Sequence, residues 1–202
     1  MNQKFTLNKQ QLFNIWSFSY DWLFPSIFYQ AVHQRLLEYV DLPTDSRVLD
    51  LGCGTGRLLE RLATHYPNLY GTGCDFSPQM LRVARRNKLQ RQRLIYIEGK
   101  ADALPFTEGQ FDAVFNTISF LHYPYPDKVF SEVARVLKTG GTYYLVDTTV
   151  KNSEETHLKI SPQGIRFYSP QKRENLGHSA GLQCSGHHYL ISSVLLSIFV
   201  KP

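Results

Sequence analysis

The sequence predicts an α/β fold in which a largely parallel sheet is covered by helices on both faces. Two observations carry this expectation. Short apolar runs alternate with amphipathic stretches from about residue 45 onward, which is the rhythm of strand-helix units. No low-complexity linker interrupts the 202 residues, so the chain reads as one domain, 1–202. Within it, residues 1–44 read as a helical N-terminal part and 45–202 as the α/β core.

Taken in order, residues 1–24 are rich in rings: Phe5, Phe13, Trp16, Phe18, Tyr20, Trp22 and Phe24. Pro25 and Ser26 open an amphipathic helix to about residue 39, with Ile27, Ala31, Leu36 and Tyr39 among its apolar positions. Pro43, Thr44 and Asp45 form a turn. Arg47-Val48-Leu49-Asp50-Leu51 is a short strand that ends in a glycine-rich loop, and residues 57–65 are a helix with Leu58, Leu59, Leu62 and Ala63 inward. Residues 69–74 form a second strand closed by Asp75. Ser77 and Pro78 start the next helix as N-cap and first helical residue.

Residues 94–97 and 111–116 read as strands three and four. Residues 127–137 form a helix stopped by Gly140-Gly141, and 142–148 a fifth strand. Ser169-Pro170 starts a last helix, ended near Gly181, and 182–200 hold two late strands.

Composition is that of an ordinary globular protein, 43% hydrophobic and 19% charged. The first residues lack the apolar core of a signal peptide, and the most apolar stretch, 189–200, is too short to span a bilayer. Three cysteines, Cys53, Cys74 and Cys184, cannot form a complete disulfide set. These features lead us to expect a reduced, cytoplasmic protein. The net charge of +5 permits an anionic partner without requiring one.

The loop Gly52-Cys53-Gly54-Thr55-Gly56 carries the chemistry. A strand, a glycine turn and a helix aim backbone N–H groups at a ligand, and glycine lets the backbone come close. A tight turn without a ligand is the plain alternative. Arg57 stands where a dinucleotide fingerprint wants its third glycine, which tells against NAD. No Gly-Lys-Ser/Thr follows, so this is not a P-loop.

The residues from Val48 to Gly56 resemble motif I of the class I S-adenosylmethionine-dependent methyltransferases. The likeness continues in register through Gly73-Cys74-Asp75-Phe76-Ser77-Pro78-Gln79-Met80-Leu81, through Ala101-Asp102-Ala103-Leu104-Pro105-Phe106, and through Phe111-Asp112-Ala113-Val114. It ends with Glu132-Val133-Ala134-Arg135-Val136-Leu137-Lys138-Thr139-Gly140-Gly141. Roughly residues 45–202 are covered, and the nearest branch is the UbiE-like, type 11 group. The resemblance implies a Rossmann-like seven-stranded sheet of order 3-2-1-4-5-7-6 with the last strand antiparallel, and residues 1–44 as a lid. It implies S-adenosylmethionine as methyl donor and S-adenosylhomocysteine as product.

The same resemblance implies a donor site. Asp75 would accept from the two ribose hydroxyls; its alternative is an acid at the next helix start, a place Ser77 already fills. Asp102 would accept from the adenine amine and the Ala103 backbone read the ring edge. Asp50 would meet the donor's ammonium group, with Gly52, Cys53, Gly54, Phe76 and Met80 beside the ligand. Asn116 ends strand four next to it, with a side-chain role and a backbone role both open. Tyr20-Asp21 resembles the Tyr-Asp of the segment that covers the donor in UbiE-like enzymes.

The acceptor side is sparsely written. A general base is needed only where the acceptor must lose a proton. His122 is a weak candidate for that base; a loop histidine bonded to backbone is the plainer reading. Asn116-Thr117-Ile118-Ser119 lacks the Asn/Asp-Pro-Pro-aromatic motif of adenine-N6 and glutamine methylation, and no Pro-Cys pair supplies a cytosine-C5 nucleophile. The ring-rich N-terminus suits a small apolar or aromatic acceptor as well as it suits a packed helix. Thr139, Asp147 and Thr149 depart from the quinone-methylating pattern of proline, glutamate and serine. The stretch 150–168 is too short for a large substrate cap.

A basic run, Arg82, Arg85, Arg86, Lys88, Arg91 and Arg93, could serve RNA or an anionic surface, but reads first as a solvated helix face. Methylation of RNA or protein, and a non-catalytic S-adenosylmethionine-binding module, are the competing readings. His178, Cys184, His187 and His188 fit no common zinc spacing, and two of them fall on opposite faces of a strand, so no metal site is expected.

Overall fold

The structure, a computed structural model, describes residues 23–87, 92–150, 155–158 and 164–202. Strands β1 (Arg47–Leu51), β2 (Tyr70–Asp75), β3 (Leu94–Glu98), β4 (Phe111–Thr117) and β5 (Leu137–Thr148) alternate with helices α2 (Arg57–His65), α3 (Pro78–Asn87) and α4 (Pro126–Val136). Helix α1 (Leu23–Leu37) precedes them. The strands β6 (Glu155–Leu158) and β7 (Ile165–Tyr168), helix α5 (Pro170–Ser179) and the strands β8 (Gln183–Ile191) and β9 (Val194–Val200) follow.

The main sheet has seven strands in the order β3-β2-β1-β4-β5-β9-β8. The first five are parallel to one another, and β9 runs antiparallel between β5 and β8. This is the expected order 3-2-1-4-5-7-6, with the last strand reversed. The order steps outward from β1 in both directions, so the carboxyl ends of β1 and β4 flank the crevice where such sheets bind ligands.

Strand alternation divides the core into two layers. Val48, Ala113, Phe115, Tyr144 and Val146 pack with Val32, Leu36, Leu58, Leu62 and Leu81 from α1, α2 and α3. Leu49, Leu51, Val114, Tyr143 and Leu145 pack on the other face with Val129, Phe130 and Val133 of α4. Phe115 and Tyr144 stack with ring centroids 4.9 Å apart on the first face. Phe130 meets Phe199 edge-on at 5.3 Å on the second.

Three elements differ from expectation. The inward face of α1 is Val32, His33 and Leu36, while Ile27 is 58% exposed and Ala31 is also on the surface. Counting apolar residues missed this register because a histidine occupies a buried position. Helix α4 ends at Val136, and Gly140-Gly141 does not stop it; Leu137 is already extended and pairs with Phe111. The glycines lie in the irregular start of β5, where Gly140 donates to Lys201 O and Lys201 donates to Gly141 O. Finally, β6 and β7 pair as a separate antiparallel sheet within the stretch 150–168.

The expected helix starts hold. Ser77 Oγ accepts from the Met80 N–H at 3.3 Å, and Ser169 Oγ from the Lys172 N–H at 3.2 Å. No helix among the described residues is long and apolar enough to cross a membrane.

Candidate functional site

A cavity opens at the carboxyl ends of β1, β2 and β4. Its floor is the glycine loop. Gly52 and Cys53 both donate backbone N–H to Cys74 O, at 2.8 and 3.1 Å, which ties the loop to the end of β2. Gly52 has φ +71°, and a Cβ there would collide with Ser119 Oγ and lie 2.6 Å from Tyr123 OH. Gly54 has φ +51°, yet a Cβ would meet no protein atom within 4 Å, because this residue faces the cavity. One glycine thus makes room for the protein, and the other leaves room for a ligand.

Asp75 lines the cavity and joins two turns. Its Oδ2 accepts from the Gly54 N–H and its Oδ1 from the Ser77 N–H, each at 2.9 Å. It is therefore an acid at the helix start as well as a cavity wall; the Ser77 cap does not displace it from that place. Burial raises its pKa, against the backbone bonds from Ser77, Gly54 and Phe76, which lower it.

Asp50 is 1% exposed, lines the cavity, and makes no hydrogen bond through either carboxylate oxygen among the described residues. Burial, then the charge of Asp75, pushes its pKa up to about 8. A buried carboxyl without a partner is costly to ionise, and a cationic ligand would remove that cost.

Of the other expected residues, Cys53, Phe76 and Met80 line the cavity as well. Asp102 and Ala103 lie on the turn after Lys100, while Gly99 and Ala101 of the same segment reach the cavity wall. The Ala103 N–H donates to Lys100 O at 3.2 Å, so it is already engaged in the turn. Asn116, for which a side-chain and a backbone role were both open, is not among the cavity-lining residues. It is fully buried, and its Nδ2 donates to Leu51 O and Ser119 Oγ at 2.6 Å and to Tyr123 OH at 3.2 Å. Its amide braces the loop from below, and Thr117, Ile118 and Ser119 form the wall instead. Tyr20 lies outside the described residues.

The rest of the lining comes from two places. Tyr29 and His33 reach in from α1, one helical turn apart. Ser119, His122 and Tyr123 belong to the 3-10 turn Phe120–His122 and its flanks. Sequence reasoning singled out only His122 of this group. The i, i+4 pair of ring residues in α1 was the available signal.

Burial first, then the charges of Arg61 and Arg57, lowers the His33 pKa to about 3, so its ring is neutral in ordinary buffers. The 3-10 turn is fastened by Asp147 at the end of β5, whose Oδ2 accepts from the Leu121 N–H at 2.9 Å. Burial raises the Asp147 pKa to about 6, opposed by the charge of Arg173.

The basic run is partly structural. Arg85 donates to Tyr96 O at 2.8 Å, and Arg93 to Ala63 O and Leu69 O at 3.1 and 3.0 Å. Lys88 and Arg91 lie outside the described residues.

This fold and crevice match known proteins. A family model described as "Methyltransferase domain" matches residues 48–141. An uncharacterized methyltransferase of Synechocystis is 35% identical over 148 residues, 67% of each chain. A demethylmenaquinone methyltransferase of Thermus thermophilus is 38% identical over 102 residues, half of this chain and 46% of its own. A methyltransferase solved in complex with the Trm112 methyltransferase activator of Haloferax volcanii superposes with a TM-score of 0.80 at 21% identity. That superposition covers 94% of this chain and 97% of the other.

The chain belongs to the class I S-adenosylmethionine-dependent methyltransferases. It spans about two thirds of the Synechocystis relative and less than half of the Thermus one. The family's cofactor, S-adenosylmethionine, fits this chain: the unpartnered Asp50 carboxyl meets a donor that carries an ammonium group, and open Gly54 leaves it space.

Proposed function

We propose that this protein transfers a methyl group from S-adenosylmethionine to a small, apolar or aromatic acceptor. The observation that carries the reading is the meeting of two unlike linings in one cavity. One wall is a glycine loop with two buried carboxyls. The other is built mainly from Tyr29, His33, Ile118, His122 and Tyr123.

On the donor side, Asp50 holds the ammonium group and Asp75 the ribose hydroxyls. Gly52 and Gly54 let the backbone approach, and Cys53, Phe76 and Met80 flank the ligand. Asp102 accepts from the adenine amine; with the Ala103 N–H engaged, Ala101 is the nearer backbone to the ring. S-adenosylmethionine, when bound, would supply a methyl on a sulfonium sulfur, so that a nucleophile of the acceptor in line with the S–CH3 bond takes the methyl and the thioether S-adenosylhomocysteine leaves. Orientation of the two reactants is then the main task of the chain, and can contribute about 7–11 kcal/mol.

Tyr29, neutral His33 and Tyr123 form a surface that excludes water and accepts a flat or apolar molecule. His122 belongs to that wall, and acts as a general base only for an acceptor that must shed a proton. The demethylmenaquinone relative supports an aromatic acceptor, while Thr139, Asp147 and Thr149 separate this chain from the quinone pattern. The internal bonds of Arg85 and Arg93 weigh against an RNA substrate, since those guanidinium groups already serve backbone carbonyls.

The test is transfer of an isotope-labelled methyl from the donor to a cell extract. We expect label in the organic-soluble, small-molecule fraction. Label in the RNA or protein precipitate would replace the acceptor assignment. Donor binding with no transfer to any fraction would leave a binding module.

A further inference from the structure

At the end of the sheet opposite β3, helix α5 lies against the edge strand β8. In a regular strand, Cys184 and His187 would point to opposite faces, being an odd number of residues apart. Here the pairing register shifts between Cys184 and Gly186. Cys184 stands opposite Phe199 and His187 opposite Ser197, two positions on the same face of β9. The bulge therefore turns both side chains to one side, which is a recurrent use of bulges. Glu174 of α5 comes down on that side.

The three side chains converge on a common point. His187 Nε2 lies 3.7 Å from Cys184 Sγ and 3.0 Å from Glu174 Oε1, and all three ligand atoms fall within 4.8 Å of one another. Zinc-sulfur and zinc-nitrogen bonds of about 2.3 and 2.0 Å at a tetrahedral angle separate sulfur from nitrogen by about 3.6 Å. The same construction separates nitrogen from a carboxylate oxygen by about 3.3 Å. The two separations from Nε2 thus match such a shell to within a few tenths of an ångström, and the sulfur and oxygen, within 4.8 Å of each other, close on the cation to complete it.

Two ligands are also held from behind. Ser197 Oγ lies 2.9 Å from His187 Nδ1, and Gln171 Nε2 donates to Glu174 Oε2 at 3.3 Å. These are the supports that orient imidazole and carboxylate ligands in metal sites. A single Nε2 proton accounts for the contact with Glu174. The Cys184 thiol is also directed at Gly186 O at 3.9 Å, a long contact that a cation would replace.

We propose that Glu174, Cys184 and His187 bind one divalent transition-metal cation of the zinc type, with water completing its shell. Thiolate, imidazole and carboxylate together favour zinc or cobalt over magnesium or calcium. Binding expels the Cys184 thiol proton to solvent, and the neutral imidazole changes tautomer: one proton leaves Nε2 and one is taken up at Nδ1, which then donates to Ser197 Oγ. The bound cation clips α5 to β8, at a distance from the methyl-transfer cavity.

The test uses untagged, chelator-stripped protein titrated with cobalt(II), then zinc. We expect one equivalent of cobalt to give a thiolate-to-metal charge-transfer band, zinc to erase it, and zinc to raise the thermal midpoint. Cys184→Ser should lose the band, and Glu174→Gln should weaken zinc binding at least about tenfold. Calorimetry with S-adenosylhomocysteine should find both variants folded and unchanged in donor affinity. Absence of the band in wild-type protein overturns the proposal. So does a band, or a zinc-dependent midpoint, that survives Cys184→Ser.

Discussion

Around Gly52 and Asp75 the cavity is walled by backbone and short acids from neighbouring turns. At Tyr29, His33, His122 and Tyr123 the lining is made instead of rings carried by two segments far apart in sequence. The first wall is fixed by local rules: a positive φ, a strand end, a helix start. The second depends on how α1 and the turn after β4 settle on the finished sheet. A donor common to a whole family needs the first kind of wall, and an acceptor particular to one protein can be served by the second.

Asp75→Ala attacks the backbone wall most directly. It removes the proposed ribose acceptor and the bonds that hold the Gly54 and Ser77 N–H groups. We expect donor affinity to fall at least about 100-fold, with stability lowered by about 1–3 kcal/mol but the fold retained. Calorimetry with S-adenosylhomocysteine and circular dichroism read the two effects, and wild-type affinity would sink the ribose assignment.

Gly52→Ala and Gly54→Ala should separate protein from ligand. Gly52→Ala meets Ser119 and Tyr123 at a positive φ, so we expect a loss of about 2–5 kcal/mol in denaturant unfolding. Gly54→Ala has open space and should lose only about 1–2 kcal/mol, while donor affinity drops at least about tenfold. Equal destabilisation by both would remove the distinction.

Asp50 yields a pH effect. Its pKa in the ligand-free protein is about 8, far above the ordinary 3.8, so the carboxyl is protonated through neutral pH. The donor's ammonium group needs the carboxylate. Binding below pH 8 should therefore release about one proton, with affinity rising up to about tenfold per pH unit until pH 8. Without donor the sign reverses: the stability that this raised pKa contributes is full below pH 3.8 and is lost as the pH rises through about 8. Calorimetry in buffers of different ionisation enthalpy counts the proton, and Asp50→Asn should bind with none released.

Arg85→Ala gives the smallest effect. It removes one partly buried bond to Tyr96 O, so we expect about 0.5–1 kcal/mol of stability lost and donor affinity unchanged. A large loss of RNA affinity in that variant would instead revive the basic run as a substrate surface.

The backbone wall was legible because its signals are local. The loop spacing, the acid ending β2 and the Ser77-Pro78 helix start each lie within a few residues, and the strand order followed from the motifs together. Asn116 stayed open because one cannot tell from its position whether an amide faces a ligand or the underside of a loop. The inward face of α1 was misjudged because His33 is polar, and the polar side chain is what the cavity uses. The convergence of Glu174 on Cys184 and His187 was out of reach for a different reason. A bulge changes which residues share a face, and alternation counted along the chain cannot register a skipped partner.

The place of β9 in the sheet has a consequence for how the chain acquires its shape. In a polypeptide made from its N-terminus, β1 to β5 can assemble before β9 exists. Until then β5 is a bare edge, and β8, whose partner in the sheet among the described residues is β9, has nothing to join. Strand β9 closes both gaps at once, so α5 and β8 gain their final geometry only when residues 194–200 arrive.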